Sequence, residues 1–369
     1  MLTVSVAAAV AALFITPPSM RLLSDIDWRT LGTLFMMLTV LEGFKKENIF
    51  NPVLKLAGRI GSMTGLSLFL VFAVFFSSMF VTNDVSLIIF VPLAILLFRA
   101  GNKEKYILPV LAMQNIAAVR GSLLTPFGSP QNLFIYGQSG VSALRFILYM
   151  SPLWVMSGIL LVCFVLFLYR KDIRQKTGIR TAEFIEPADP GRKKHRIAYL
   201  CLFALVLLTI VTRTPIWYVA VAVVAVGVFI VDRKILIKTD YVLLLTFFCF
   251  FVFSSSIAAN EKIAAFLQRA VAGREYVWSI LLSQAISNVP AAIVLYPFAL
   301  NRGALLYGLD SAGLCTLIGS LASVINYRLY VREYPGKGGK FVKVFTLVSL
   351  AFFAFVALPG YFISRAWMI

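Results

Sequence analysis

The stretch FFSSMFVTNDVSLIIFVPLAILL, residues 75–97, sets three polar residues, Thr82-Asn83-Asp84, between two apolar arms. A second stretch, ILLSQAISNVPAAIVLYPFAL, residues 280–300, has the same plan. A single offset of 205 residues carries Ser78 onto Ser283, Thr82 onto Ser287, Asn83 onto Asn288 and Pro92 onto Pro297. The chain therefore encodes one unusual element twice, and this duplication decides its fold.

The apolar arms that follow the two polar tips, Val85–Phe98 and Val289–Leu300, are 14 and 12 residues long. At about 1.5 Å of rise per residue, neither helix crosses roughly 30 Å of hydrocarbon. Each copy is therefore predicted to be a re-entrant helical hairpin, which turns at its polar tip and leaves the membrane on the side it entered. A non-helical tip at that depth is tolerated only inside protein or beside a water-filled cavity. Two such tips in corresponding positions indicate the binding site of a secondary transporter.

The composition places the chain among polytopic membrane proteins. It has 369 residues, of which 60% are hydrophobic and 14% charged, so we expect an all-α fold with many apolar spans. The net charge of +18 does not indicate nucleic-acid binding, because basic residues concentrate in the cytoplasmic loops of membrane proteins. The four cysteines lie in apolar stretches without a CxxC pair, so no metal centre is expected. No organic cofactor is expected either, and the coupling ion would be Na+ or H+.

The order of the segments predicts an inverted-topology repeat. Four crossings and a hairpin precede a basic linker, and the same pattern returns after one extra crossing, so the second copy is inserted upside down. The first repeat is predicted at 1–169, with a cytoplasm-facing hairpin at 66–98 and a broken helix at 106–136. A cytoplasmic linker at 170–196 and a connecting span at 197–212 follow it. The second repeat is predicted at 213–369, with an outward-facing hairpin at 276–300 and a broken helix at 305–330. Most of the 34 Lys and Arg residues then lie on the linker's side. This asymmetry predicts a cytoplasmic N-terminus and an external C-terminus.

The segments that follow the hairpins are predicted to be helices broken in mid-membrane. RGSLLTPFGSPQN, residues 120–132, contains glycines and prolines that interrupt a helix. The second copy contains IGSLASVIN, residues 318–326, and we match Gly121-Ser122-Leu123 with Gly319-Ser320-Leu321. Freed carbonyls, hydroxyls and amide oxygens suit a small cation, whereas freed N–H groups at a helix start suit an anion.

Two questions about these polar residues stay open. Thr82, Asn83 and Ser287 are also good helix N-caps, so capping competes with ion binding as the explanation of the tips. Arg120 and Asp84 are the deepest ionisable residues. Either Arg120 attracts the anion while Asp84 holds the coupling cation or titrates, or the two neutralise each other in a buried pair. Asp310 is placed near the end of a span and is given little weight.

The motifs VTNDVSLIIFVP, GSLLTPFGSPQN and SQAISNVPAA resemble the ion transporter superfamily, which includes divalent anion:sodium symporters, citrate transporters and arsenite permeases. The resemblance covers nearly the whole chain. It implies a homodimer in which a mobile transport part moves like an elevator against a scaffold. The acid at position 84 and the apolar Val289 differ from the Ser-Asn-Thr pattern of dicarboxylate carriers. Asp84 is more similar to the arsenite-permease and citrate-transporter branches, and an acid there favours protons over sodium.

The resemblance also implies which residues bind. One cation site would involve Thr82, Asn83, Ser122 and Gly128, and the other Ser287, Asn288, Ser320 and Ser323. The substrate would lie between the tips, with a binding set of Thr82, Asn83, Asp84, Arg120, Thr125, Pro130, Ser287, Asn288 and Val289. No catalytic residue is expected.

The sequence therefore predicts a cation-coupled secondary transporter of a small anion, a di- or tricarboxylate, in a prokaryotic inner membrane. The alternative is an arsenite or metalloid-oxyanion efflux permease or a cation/proton antiporter. A membrane enzyme would need a catalytic cluster, such as paired acids, that the spans do not offer. A channel is disfavoured because two occluding hairpins of opposite orientation suit alternating access.

Overall fold

A computed structural model describes residues 2–16, 24–57, 60–171, 173, 175–177 and 190–366. The described residues are almost entirely helical and contain no β-strand, apart from an isolated β-bridge between Ser62 and Lys176. The all-α class predicted from the sequence is confirmed. Residues 172, 174 and 178–189 of the predicted linker lie outside the described residues, as do Met1 and residues 367–369 at the chain ends.

The first half of the chain consists of eight described helices. They are α1 (Leu2–Ile15), α2 (Trp28–Lys46), α3 (Asn51–Leu56), α4 (Met63–Val81), α5 (Asn83–Ala100), α6 (Ile107–Ser122), α7 (Pro130–Ser139) and α8 (Ala143–Leu168). Helices α4 and α5 form the first hairpin, and α6 and α7 are the halves of the first broken helix. The connecting helix α9 (Lys193–Thr212) follows.

The second half repeats this order with eight more described helices. They are α10 (Trp217–Lys238), α11 (Tyr241–Ala259), α12 (Glu261–Val271), α13 (Glu275–Ile286), α14 (Asn288–Leu295), α15 (Arg302–Ala312), α16 (Leu321–Glu333) and α17 (Gly338–Ala366). Helices α13 and α14 form the second hairpin, and α15 and α16 are the halves of the second broken helix. Within the described ranges, six helices are long and apolar enough to cross a membrane: α4, α5, α8, α9, α11 and α17.

The starts of α2 and α11 show the repeat at atomic level. Asp27 precedes α2 with φ −76° and ψ 78°, and its carboxylate accepts a hydrogen bond from the Thr30 N–H at 2.9 Å. Asp240 precedes α11 with φ −75° and ψ 78°, and accepts from the Leu243 N–H at 3.0 Å. Both helices therefore begin with the same N-cap.

Each repeat packs its elements against those of the other repeat. Helix α1 lies on α11, and its counterpart α10 lies on α2. Likewise α5, the second arm of the first hairpin, lies on α16, and its counterpart α14 lies on α7. This packing of each repeat on the other brings both hairpins and both broken helices together in the centre of the molecule.

The arms of the first hairpin are longer than the sequence predicted. Helix α5 has 18 residues and α4 has 19, so each is about 27 Å long. The second hairpin is shorter, because α14 has 8 residues before a 3-10 turn at Tyr296–Phe298. The first tip lies inside the protein because α5 packs against α16, and not because its arms are short.

The basic loops meet at one end of the molecule, which we call the basic end. Ion pairs join Lys46 to Asp232 and Arg192 to Glu47, and Arg99 to Glu333 at 3.3 Å. These contacts link loops that the sequence predicts to be cytoplasmic. Amphipathic α12, which sequence analysis missed, exposes 70% of Phe266, as suits a helix in the membrane interface.

Candidate functional site

The two hairpin tips adopt one and the same strained backbone conformation. Thr82 has φ 70° and ψ 156°, and Ser287 has φ 72° and ψ 159°. This region is essentially reserved for glycine and costs a residue with a side chain about 1–3 kcal/mol. Thr82 is 8% exposed and Ser287 is 6% exposed, so both tips are inside the protein. Neither side chain accepts a hydrogen bond from a backbone N–H of the helix that it precedes, so N-capping does not explain why they are there.

Each tip is hydrogen-bonded to the break of its own repeat. At the first tip, the Thr125 hydroxyl donates to the carbonyl of Met79. At the second, the Asn288 N–H donates to the carbonyl of Gly319 at 3.2 Å. One hydrogen bond therefore joins tip and break in each repeat, and each pair brings together hydroxyl, amide and carbonyl oxygens of the kind that bind small hard cations.

At the first break, one side chain hydrogen-bonds three backbone carbonyl groups. Helix α6 ends at Ser122 and α7 begins at Pro130. The Asn132 side-chain amide donates to the carbonyls of Ser122, Leu123 and Thr125 at 3.3, 3.2 and 3.2 Å. Its own Oδ1 is buried without a partner among the described residues. Asn132 therefore fixes the shape of the break, a role that sequence analysis missed.

The structure corrects the match between the two breaks. Ser129 precedes α7 with φ −147° and ψ 153°, and Ser320 precedes α16 with φ −148° and ψ 140°. A Cβ added at Gly128 would lie 2.2 Å from the Ser122 carbonyl oxygen, and one added at Gly319 would lie 2.3 Å from that of Ala312. Gly319-Ser320 therefore corresponds to Gly128-Ser129, and the predicted match with Gly121-Ser122 is wrong.

The corrected match adds residues to the first site. It makes Ser129 the counterpart of Ser320, and Asn132 the counterpart of Ser323. The Ser323 hydroxyl accepts a hydrogen bond from the Asn115 amide at 3.0 Å. The sequence carried a signal for Ser129 in its Gly-Ser dipeptide, but the same dipeptide occurs at Gly121-Ser122.

A cavity of about 390 Å³ adjoins the first tip. Thr82 and Asp84 contribute to its wall, together with residues from the start of α7 and from α16 of the opposite repeat. Its charged lining residues are Glu42, Lys45, Asp84, Lys238 and Asp240. Lys45 and Lys238 belong to the basic end, so the cavity reaches from the first tip toward that end.

A second cavity, of about 370 Å³, adjoins the second tip. Ser287, Val289 and Pro290 line it. The two cavities share Asp240, Leu243 and Leu321 as lining residues. They are therefore neighbours, separated by the first turn of α16, and a solute in either one lies beside a hairpin tip.

The predicted site residues separate into two groups. Those that line a cavity are Thr82, Asp84 and Pro130 in the first and Ser287 and Val289 in the second. The other predicted site residues are buried and are not among the described residues that line either cavity. They are Asn83, Arg120, Ser122, Thr125, Gly128, Asn288, Ser320 and Ser323.

Arg120 does not pair with Asp84. It is fully buried at the end of α6, where its NH2 group donates to the Ser311 hydroxyl at 3.4 Å. Its acidic neighbour is Asp310, which accepts a hydrogen bond from the Gln131 amide at 3.0 Å. Asp84 instead interacts electrostatically with Asp240 and Lys45 across the first cavity. The predicted alternative of a buried Arg120–Asp84 pair is therefore wrong.

Asp310 is more deeply placed than the sequence predicted, because its helix breaks earlier in the chain than expected. Helix α15 ends at Ala312, so Asp310 lies at the deep end of a half-helix, where it is fully buried. Among the described residues, no group of three or more His, Cys, Asp and Glu side chains could hold a metal ion. The site therefore consists of isolated charges and neutral oxygen donors around two cavities.

Comparisons with known proteins agree with this architecture. A family model described as citrate transporter matches residues 1–304. The inner membrane protein YbiR of Escherichia coli (strain K12) is 30% identical over 344 residues, which cover 91% of this chain and 87% of that protein. An uncharacterized transporter of Methanocaldococcus jannaschii is 30% identical over 315 residues, covering 84% of this chain and 83% of that protein.

A solved structure shares the fold. The YdaH transporter of Alcanivorax borkumensis superposes with a TM-score of 0.55, covering 95% of this chain and 88% of that one, at 16% identity. The fold, the hairpins and the matches define a multi-pass membrane transporter. The chain belongs to the citrate transporter family.

Proposed function

We propose that the protein is a cation-coupled secondary active transporter of a small anion, a di- or tricarboxylate. The observation that carries the proposal is the pair of strained, buried tips at Thr82 and Ser287, which border two adjoining cavities. Strain of this kind persists only where the surrounding structure imposes it, and it concentrates at ligand-binding sites.

The anion would bind in the first cavity. Its volume of about 390 Å³ falls within the usual range for small-molecule sites, about 300–1,000 Å³. Lys45 and Lys238 line it and would attract a carboxylate as it enters from the basic end. At the bottom of the cavity, Thr82 and Pro130 would contact the bound anion.

The coupling cation, Na+ or H+, would bind where each tip meets its break. Thr82 and Asn83 with Ser122 and Gly128 would form one site, to which the structure adds Ser129. Ser287 and Asn288 with Ser320 and Ser323 would form the other. Glu42, Asp84 and Asp240 are the acids of the first cavity, and a bound cation would lower their repulsion for an anionic substrate.

Transport would follow an elevator-type alternating-access cycle. Binding of cation and anion would neutralise the charges at the tips, so that the hairpins and broken helices move across the membrane together. Arg120 and Asp310 would travel inside this unit as a buried pair of opposite charges. We also propose a homodimer in a prokaryotic inner membrane. The similarity to an E. coli inner membrane protein supports this location.

Uptake into proteoliposomes tests the proposal. Radiolabelled citrate should enter saturably when a Na+ or H+ gradient is imposed, and Asn83→Ala and Asn288→Ala should each lower the initial rate at least about tenfold, as expected from losing a hydrogen bond to an ion. Asn102→Ala, in an exposed loop after α5, is the matched control and should stay within about twofold of the wild type.

The same vesicles discriminate the alternatives. Flux that does not saturate with citrate or with any other carboxylate would contradict a carrier of this class. Arsenite movement driven by the membrane potential, or cation/proton exchange without any anion, would favour the efflux permease or the antiporter instead. If Asn102→Ala lowers the initial rate of uptake as much as the two site variants do, the hairpin tips have no specific role in transport.

A further inference from the structure

A groove separate from the transport cavities opens at the basic end between α6, α8 and α17. Its volume is about 610 Å³. The walls are apolar side chains such as Met113, Phe167 and Leu347. Phe167 is 65% exposed and Leu347 is 71% exposed, so this apolar surface lies on the outside of the protein. We call this feature the α8–α17 groove.

The floor of the α8–α17 groove is formed where the two helices touch. The ring of Phe164 on α8 packs edge-on against Phe352 on α17, with centroids 5.4 Å apart. From Val344 to Ala351 the groove follows α17 over eight residues, a rise of about 10 Å. It is therefore closed toward the membrane centre and open sideways, which is the shape that accepts the upper part of an acyl chain.

The mouth of the groove carries positive charge at the ends of the helices. Lys105 precedes α6, and Arg170 and Lys171 follow α8, and all three line the groove. A smaller cleft that shares Lys105 with it adds Lys337 and Lys340 and contains one acid, Glu104. Among the described residues that line the two clefts, five cations stand against one acid, which favours an anion.

These cations differ from others at the same end of the molecule. None of Lys105, Arg170, Lys171, Lys337 and Lys340 forms an ion pair with another described residue. Four neighbours at the basic end do: Lys45 with Glu42, Lys46 with Asp232, Arg99 with Glu333 and Arg192 with Glu47. Lys105 and Arg170 instead lie over aromatic rings, those of Tyr106 and Phe167, which hold their charge at the depth of the headgroups.

We propose that the α8–α17 groove binds an anionic phospholipid, with its phosphate between Lys105, Arg170 and Lys171 and an acyl chain along Met113, Leu347 and Val348. Basic pockets between transmembrane helices on the cytoplasmic side are suited to such headgroups. A lipid here would join α6, the first half of a broken helix, to the long helices α8 and α17. This inference does not depend on which solute the protein carries.

The test is a binding titration on the purified full-length protein in neutral detergent. Dioleoyl phosphatidylglycerol is compared with dioleoyl phosphatidylcholine and with inorganic phosphate, and the apparent melting temperature reports binding, because a ligand of the folded state raises it. We expect phosphatidylglycerol to raise the melting temperature at much lower concentration than phosphatidylcholine, and phosphate to have no comparable effect.

Two variants separate the charged mouth from the apolar wall. The triple variant Lys105→Gln, Arg170→Gln, Lys171→Gln should weaken phosphatidylglycerol binding at least about tenfold. Ala351→Trp fills the exposed floor with the charges intact, and it should weaken binding of the lipid. The control Lys193→Gln, Lys194→Gln, Lys234→Gln removes three exposed cations outside the groove and should bind as the wild type.

Several results would overturn the proposal. Equal stabilisation by phosphatidylcholine would show that charge does not select the lipid. Equal stabilisation by inorganic phosphate would show a free-anion site without a lipid. Unchanged binding in the groove variants, or an equal loss in the control variant, would show that the lipid binds elsewhere or only through general charge.

Discussion

Thr82 and Ser287 hold the same backbone conformation, φ 70° and ψ 156° against φ 72° and ψ 159°, although 205 residues separate them. A glycine would be relaxed in this region, yet the chain places a hydroxyl-bearing residue there twice. The free energy of strain is of order 1–3 kcal/mol at each position. The strained residues are explained if their hydroxyl groups bind an ion or the substrate.

Replacing Thr82 or Ser287 by glycine should therefore separate stability from transport. Thr82→Gly and Ser287→Gly relieve the strain, and we expect unchanged or higher thermal stability, because relief of about 1–3 kcal/mol exceeds the entropic cost of glycine, about 0.4–1 kcal/mol. Initial rates of anion uptake should fall at least about tenfold as a hydroxyl ligand is lost. Melting curves and proteoliposome uptake on the same preparations provide both measurements.

Asn102 supplies the matched control for this pair. It also has a positive φ, 52°, but lies exposed in the loop after α5. Asn102→Gly should relieve backbone strain without changing transport. If Thr82→Gly and Ser287→Gly transport at the wild-type rate, the hydroxyls serve the fold alone and the proposed site loses its central element.

The tips were predictable because their signal is local. Three polar residues between apolar runs are costly in a membrane. The same pattern recurs 205 residues later, which indicates a repeated functional element. The length of the arms was not predictable. Helix α5 continues to Ala100, because nothing in the apolar sequence after Asn83 stops it, and even Pro92 is accommodated within the helix.

The two breaks should be equally sensitive to one methyl group. Gly128→Ala and Gly319→Ala would place a Cβ 2.2 and 2.3 Å from carbonyl oxygens of the preceding half-helix. The backbone must then shift, and we expect each variant to lose about 1–3 kcal/mol of stability, together with transport. Thermal unfolding and uptake measure the two effects.

Gly339 is the control for the added methyl group. A Cβ there meets no atom within 4 Å, and the residue lies in the first turn of α17. Gly339→Ala should leave stability unchanged or raise it, because alanine favours a helix. Wild-type stability in Gly128→Ala or Gly319→Ala would mean that the carbonyls at the breaks are not held as the structure shows.

The match between the breaks could not be settled from sequence. Within the two predicted broken helices the dipeptide Gly-Ser occurs at 121–122, at 128–129 and at 319–320, and the sequence does not say which copy begins a half-helix. The structure decides by conformation, since Ser129 and Ser320 are both extended residues directly before a helix. Local sequence identity was here a poorer guide than position relative to the break.

A double-mutant cycle tests whether Arg120 and Asp310 act as a pair. Arg120→Gln and Asp310→Asn should each destabilise the protein, because each leaves an opposite charge buried without its neighbour. The double variant should lose less than the sum of the two, with a coupling of about 0.5–3 kcal/mol. The measurement is the free energy or apparent temperature of unfolding for all four proteins.

Asp84 provides the comparison for this cycle. It lines the first cavity with Lys45 and Asp240, whereas the acid whose charge acts on Arg120 is Asp310. The cycle of Arg120→Gln with Asp84→Asn should therefore be additive within about 0.5 kcal/mol. Strong coupling between Arg120 and Asp84, with none to Asp310, would contradict the arrangement described here.

Labelling from each side of the membrane tests alternating access itself. Both cavities include residues of the basic end, Lys238 in the first and Arg328 in the second, so both extend from a buried tip toward that side. In a protein without its four native cysteines, Thr82→Cys and Ser287→Cys should react with an impermeant maleimide from that side, and from the opposite side once cation and substrate are added. Asn102→Cys, in an exposed loop at the basic end, should react from one side only under every condition. If the two tips stay accessible from the same face in all states, the hairpins do not carry a solute across the membrane.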